Sequence, residues 1–227
     1  MEKIINILSE APIFKGLSEK SLVQLRSIAK DKFYKKGTVV FSEGDEGDGF
    51  YVVADGRVKI FKMSSEGKEH ILHIYGPGNP FGEVPVFSGQ KLPANAQTLV
   101  KSHLLFFPRQ SFVDLISTNP SLAMNMLAVL SKRLREFTVQ IENLSLKEVP
   151  GRLAAHLIYL TRDQQNDACV RLPFSKGELA SLLGTIPETL SRILNKMNGL
   201  GLIEVNGRQI TILDIHGLSD LAQQGKI

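Results

Sequence analysis

The spacing of apolar positions changes twice along the chain, and each change predicts a different kind of element. From residue 37 to 107 the apolar residues fall in short runs: Thr38-Val39-Val40-Phe41, Phe50-Tyr51-Val52-Val53, Arg57-Val58-Lys59-Ile60-Phe61 and His70-Ile71-Leu72-His73-Ile74. Gly44, Gly56, Gly67 and Gly76-Pro77-Gly78 separate them, where the chain turns. Short strands at roughly ten-residue intervals predict an antiparallel roll of the jelly-roll kind. Just ahead, Leu22, Leu25 and Ile28 recur at three-residue steps and predict an amphipathic helix over Ser18 to Ala29.

From Asn119 the period becomes helical. Leu127, Leu130, Leu134, Phe137, Ile141 and Leu144 follow one another at steps of 3, 4, 3, 4 and 3, a heptad seam. Lys132, Arg133, Arg135, Glu136, Gln140 and Glu142 occupy the other faces, so the apolar stripe is narrow. A helix resting on its own core usually shows a wider stripe, so a parallel two-chain seam, and hence a homodimer, is expected. Pro150-Gly151 reads as the end of this helix and a hinge, because proline lacks a donor and glycine loosens the backbone.

The last third carries start signals for helices. Ser175-Lys176-Gly177-Glu178 is a capping box, with Phe174 and Leu179 placed as a hydrophobic staple, and predicts a helix from Ser175 to Leu183. After Gly184, Thr185-Ile186-Pro187-Glu188 reads as a second capping box opening a helix through Lys196 and Met197. Two short helices around a tight glycine turn are the helix-turn-helix plan, whose second helix enters the DNA major groove. Asn206-Gly207 then sits between two β-type runs, a hairpin signal, and a hairpin behind a helix-turn-helix makes a wing.

On the second helix Glu188, Ser191 and Arg192 stand at i, i+3 and i+4 and share a face. Glutamate accepts from cytosine N4, arginine pairs with guanine O6 and N7, and serine serves several base edges. Glu188 has the alternative role of a helix cap. Pro187, Thr189 and Ser175 flank the trio, and Lys196 and Arg208 are placed for phosphate contacts. The expected class is therefore α+β, with a roll over 1–118, a dimerisation helix over 119–149 and a winged helix-turn-helix over 150–227.

Composition narrows this picture little. Hydrophobic residues make up 43% and charged residues 22%, and no apolar run is long enough to cross a bilayer, so a soluble cytoplasmic protein without a membrane partner is expected. The net charge of +4 is mild, and residues 148–227 balance eight basic against eight acidic side chains, so charge alone would not have predicted DNA binding. One cysteine, Cys169, holds neither a disulfide nor an iron–sulfur cluster. A metalloenzyme on a cupin-like roll is the rival from another class. His70 and His73, three apart on a strand, would point to opposite faces and could not share a metal, and no enzyme is expected.

Several stretches resemble the cyclic-AMP receptor protein and fumarate-nitrate reduction regulator (CRP/FNR) family across nearly the whole chain. They include Pro12-Ile13-Phe14-Lys15-Gly16-Leu17-Ser18, Glu43-Gly44-Asp45, Gly56-Arg57-Val58-Lys59, Gly82-Glu83 and Pro187-Glu188-Thr189-Leu190-Ser191-Arg192. The resemblance implies a cyclic-nucleotide-binding-like roll and a dimer on a palindromic operator, with half-sites of TTGAT or TGTGA type. It also implies RNA polymerase as a partner, and a small-molecule effector between roll and dimer helix. Gly82, Glu83, Leu92, Pro93, Leu130 and Leu134 are the candidate pocket residues, with Gly82 and Glu83 alternatively scaffold.

Two departures from the family pattern bear on the effector. Where nucleotide-binding members carry an arginine for the cyclic phosphate, this chain has Leu92-Pro93-Ala94, and an anion buried there would lack its charged partner. The oxygen-sensing branch needs several cysteines. What remains resembles the cysteine-poor branch that responds to nitric oxide or nitrosative stress, in some members through haem. Of the five histidines, which include His156 and His216, the candidate axial ligands are His70, His73 and His103. A cyclic-nucleotide-dependent regulator is the alternative.

Overall fold

A computed structural model describes residues 2–166 and 168–225. The chain divides into two compact units, Met1–Leu134 and Arg135–Ile227.

Unit 1 opens with helix α1 (Glu2–Glu10), a 3-10 turn (Pro12–Phe14) and α2 (Glu19–Ile28). Ser18 caps α2 by accepting from the Ser21 N–H. Eight strands follow: β1 (Lys30–Tyr34), β2 (Val39–Phe41), β3 (Gly49–Asp55), β4 (Val58–Met63), β5 (Glu69–Tyr75), β6 (Pro80–Phe81), β7 (Asn95–Thr98) and β8 (Ser102–Pro108). The short helix α3 (Val84–Ser88) interrupts them, and α4 (Arg109–Thr118) comes after. The strands form two antiparallel four-stranded sheets in the orders β1-β8-β3-β6 and β2-β7-β4-β5, the roll that the sequence predicts.

Strand β3 explains how one sheet serves two cores. Phe50 and Val52 join the helical side with Leu8, Phe14, Leu25, Phe107 and Phe112. Tyr51 and Val53 belong to a second cluster with Tyr75, Phe81 and Leu104. Both faces are covered, so β3 reads as a continuous apolar run rather than an alternation. Phe50 stacks on Phe107 at 5.1 Å and meets Phe112 edge-on at 4.6 Å. Truncating such a ring to alanine costs about 3–5 kcal/mol.

Helix α5 (Pro120–Leu146) carries the heptad. Its first turns also dock on unit 1, with Leu122 and Met126 buried and Val129 and Leu130 packed on the helical-side core. The stripe is thus wider at its start than the heptad alone implies.

Unit 2 corrects the reading of Pro150-Gly151. These residues lie in the first turn of a fifteen-residue helix, α6 (Val149–Asp163), where a proline's missing N–H is tolerated. The helical break falls one step earlier, at Lys147 and Glu148. Gly151 is a point of close approach: a Cβ there would lie 2.5 Å from Gly225 Cα. The Glu148 N–H donates to the Gly225 carbonyl at 3.1 Å. Arg152 Nη1 donates to the Lys147 carbonyl at 3.0 Å and to that of Leu144 at 3.4 Å. The junction is therefore tied rather than loose.

Beyond it come β9 (Cys169–Arg171), α7 (Lys176–Leu182), α8 (Pro187–Gly199), β10 (Ile203–Asn206), β11 (Gln209–Ile212) and α9 (Ile215–Gln224). The wing is a three-stranded sheet, β10-β11-β9, rather than a bare hairpin. Its turn is Gly207-Arg208, one residue beyond the expected Asn-Gly. Positive φ at Gly207 alone is the II′ pattern, not I′.

Candidate nucleic-acid interface and effector pocket

The reader is built from two differently started helices. Ser175 Oγ accepts from the Glu178 N–H at 3.2 Å while the Glu178 carboxylate accepts from the Ser175 N–H at 2.6 Å, the complete capping box. Phe174 and Leu179 are both buried beside it, as the staple requires. The second capping box does not form. The N-cap of α8 is Ile186, no side chain caps it, and Pro187 opens the first turn. Thr185 instead closes α7 through its N–H to the Ala180 carbonyl at 2.9 Å. Glu188 is therefore no capping residue, and its carboxylate stands exposed at the start of α8.

Leu190, Leu194 and Met197 bury the inner face of α8. Pro187, Glu188, Ser191, Arg192 and Lys196 are exposed on the outer side, and Thr189 is half-buried. Arg192 Nη2 donates to Thr189 Oγ1 at 3.2 Å, which draws the guanidinium toward the amino end of the helix. Asn195, passed over in the sequence, is exposed as well. Arg208 stands exposed in the wing turn. Cys169 lies on β9, where its Sγ accepts from Gln209 Nε2 at 3.1 Å.

The residues expected to hold an effector divide. Glu83 is buried and forms an ion pair with Arg133 of α5; both side chains are 11% exposed. Arg133 also donates to the Pro80 carbonyl and lies 4.6 Å over the Tyr75 ring. Gly82 packs against Phe41 and Tyr51, where a Cβ would come within 3.0 Å of the Phe41 ring. Leu92 is buried and exchanges backbone hydrogen bonds of 2.9 Å with Gly44 and Asp45, while the carbonyl of exposed Pro93 accepts from Lys62. Leu130 faces the helical-side core. Leu134 is 70% exposed, at its heptad position on the outer stripe. Arg133, Tyr75 and Pro80 were missed. Arg133 looked like one more solvated charge, and only its register with Met126 and Leu130 hints that it faces inward.

The three histidines are placed differently. His103 Nε2 is bonded to Asp31 at 2.8 Å and its ring stacks on Phe33 at 4.3 Å; Asp31 also accepts from Arg26. His70 is half-buried on β5. His73 packs on Tyr75 at 4.3 Å, and burial, with the nearby charges of Arg133 and Lys132, lowers its pKa to about 4. Among the described residues no group of three or more His, Cys, Asp or Glu could hold a metal ion, and no helix is long and apolar enough to cross a membrane.

Comparison with known proteins agrees with both units. Residues 31–119 match the cyclic nucleotide-binding domain and residues 151–221 the Crp-like helix-turn-helix domain. The chain is 30% identical to the Cyclic AMP receptor protein of Thermus thermophilus, over 93% of this chain and 97% of that one. It is also 30% identical to the Fumarate and nitrate reduction regulatory protein of Escherichia coli, over 91% and 84% respectively. The structure of FixK2 from Bradyrhizobium japonicum is similar at a TM-score of 0.76 and 25% identity, covering 86% of this chain and 97% of that one. These relatives are transcription regulators, not enzymes, and regulators of this kind bind DNA and are typically dimeric. With a cyclic-nucleotide-binding roll, a long helix and a Crp-like reader matched in order, the chain belongs to the CRP/FNR family of transcription regulators.

Proposed function

We propose that two copies of this chain pair along α5 and read a palindromic operator with their α8 helices. One observation carries the proposal. Leu127, Leu134, Phe137, Ile141 and Leu144 are exposed at heptad spacing on a helix whose adjoining face is already buried through Leu122 and Met126. A contiguous apolar stripe of this kind marks a protein contact, and the heptad names a second α5 as its occupant. Two-fold pairing suits half-sites one DNA turn, about 34 Å, apart. Glu188, Ser191 and Arg192 then face base edges, while Ser175, Lys196 and Arg208 position the reader on phosphates. RNA polymerase is the further partner that transcription control calls for. Fluorescence anisotropy on a selected operator tests this: affinity should fall steeply with salt as counterions are released. Salt-insensitive binding would contradict it.

The effector reading centres on Glu83 and Arg133. A small molecule that displaces Arg133 from Glu83 and Tyr75 would shift the population of α5 arrangements and so the separation of the α8 helices. Nitric oxide acting through haem is the signal we favour, with His73 as the residue that would hold the group. Its imidazole is neutral at ordinary pH, as ligation requires. His103 is engaged by Asp31. A bound haem would supply the iron that takes up the gas. Stoichiometric uptake with a Soret band lost in His73→Ala supports this, and no uptake ends it. A cyclic nucleotide is the second reading, favoured by the named activity of one relative. Against it stand a buried leucine where a phosphate would need a cation and an Arg133 charge already balanced by Glu83. Calorimetry with cyclic AMP and cyclic GMP separates the two.

A further inference from the structure

The outer face of α8 holds one more polar side chain than the trio recognised in the sequence. Successive helical residues turn by roughly 100°, so Asn195 lies about 20° from Glu188, with Arg192 about 40° and Ser191 about 60° away. Asn195 thus lies between Glu188 and Ser191 on the exposed face. Lys196, about 80° round, sits on the flank where phosphates would pass. The buried side, Leu190, Leu194 and Met197, is opposite. Arg192 is drawn one turn toward the amino end by its bond to Thr189 Oγ1, which leaves the next turn of the face to Asn195. Among the described residues nothing hydrogen-bonds the Asn195 amide.

We infer that Asn195 is a specificity-determining residue that reads an adenine in each half-site. This deepens the DNA reading proposed above and rests on it. A carboxamide presents a donor and an acceptor side by side, the complement of adenine N6 and N7 in the major groove. Seven residues at ~1.5 Å each place Asn195 about 10 Å along the axis from Glu188. That spans about three base-pair steps of ~3.4 Å, so the adenine lies about three pairs from the base met by Glu188.

The test is a binding selection from a random duplex library with the full-length chain and two variants, Asn195→Ala and Asn195→Asp. The exposed position leaves the fold intact, which a thermal melt of each variant checks. Asn195→Ala should lose preference at one symmetric pair of A·T positions, weakening binding to the wild-type motif about tenfold. Asn195→Asp should shift that same position toward cytosine, whose N4 donates to a carboxylate. Unchanged preference at every position in both variants would overturn the inference, as would a uniform loss of affinity across sequences, the mark of a phosphate contact. A wild-type chain that enriches no motif would overturn both the inference and the reading beneath it.

Discussion

Arg133 on α5 pairs with Glu83 at the start of α3, and its guanidinium covers the ring of Tyr75. A charge that the heptad reading assigned to solvent is therefore internal, and it ties α5 to the residues expected to hold an effector. With both side chains 11% exposed, the pair is protected enough from screening for its loss to be felt.

Removing one partner leaves the other charge poorly solvated. Arg133→Met or Glu83→Gln should each destabilise unit 1 by roughly 3 kcal/mol, and the double variant by clearly less than the sum. Urea unfolding of the three variants measures this. Strict additivity would show that the pair is not coupled.

The elbow between α5 and α6 should tolerate no side chain at residue 151. Gly151→Ala pushes a methyl group onto Gly225, 2.5 Å away, and should cost about 1–3 kcal/mol while raising amide exchange at residues 147–152. Gly177→Ala, where the nearest atom is 3.8 Å off, is the control. It should be neutral or stabilise by about 0.5–1 kcal/mol.

Two histidines make stability depend on pH. Burial holds His73 and His156 at about 4 in the folded chain, against the ordinary histidine value of 6.5. Between these values the unfolded chain binds more protons, so stability falls as pH drops from 6.5 to 4. The slope is at most about 1.4 kcal/mol per pH unit for each histidine. Unfolding followed by denaturant across this range should show the slope, and His156→Leu should flatten it by one histidine's share. A flat profile in the wild type would contradict the assignment.

Arg192→Ala should relax base choice at one position of each half-site and cost about 1–3 kcal/mol of operator binding. A binding selection reads the position directly. An unchanged motif would place Arg192 outside the base-reading set.

The sequence showed the fold where a repeat period ran long enough to be seen. The roll strands, the heptad and the capping box at Ser175 all have such signals. Strand β1 escaped because Lys30-Asp31-Lys32-Phe33 is exposed along its length and shows no alternation. Strand β9 is three residues long. Helix α6 was hidden by Pro150-Gly151, since a proline in a first turn and one that breaks a helix look alike until the following residues are packed. The exposed face of α8 was legible at Glu188, Ser191 and Arg192 because helical spacing alone groups them. The Glu83–Arg133 pair was not, because burial of a charge is a tertiary fact without a local pattern.

The central claim is a paired reader, and sedimentation equilibrium at micromolar concentration tests it most directly, on the wild type and on Leu134→Glu, each with and without a selected duplex. The account predicts twice the mass of one chain for the wild type, two chains per duplex, and single chains with weakened DNA binding for Leu134→Glu. A wild type that sediments as one chain in every condition, including on DNA, would contradict it.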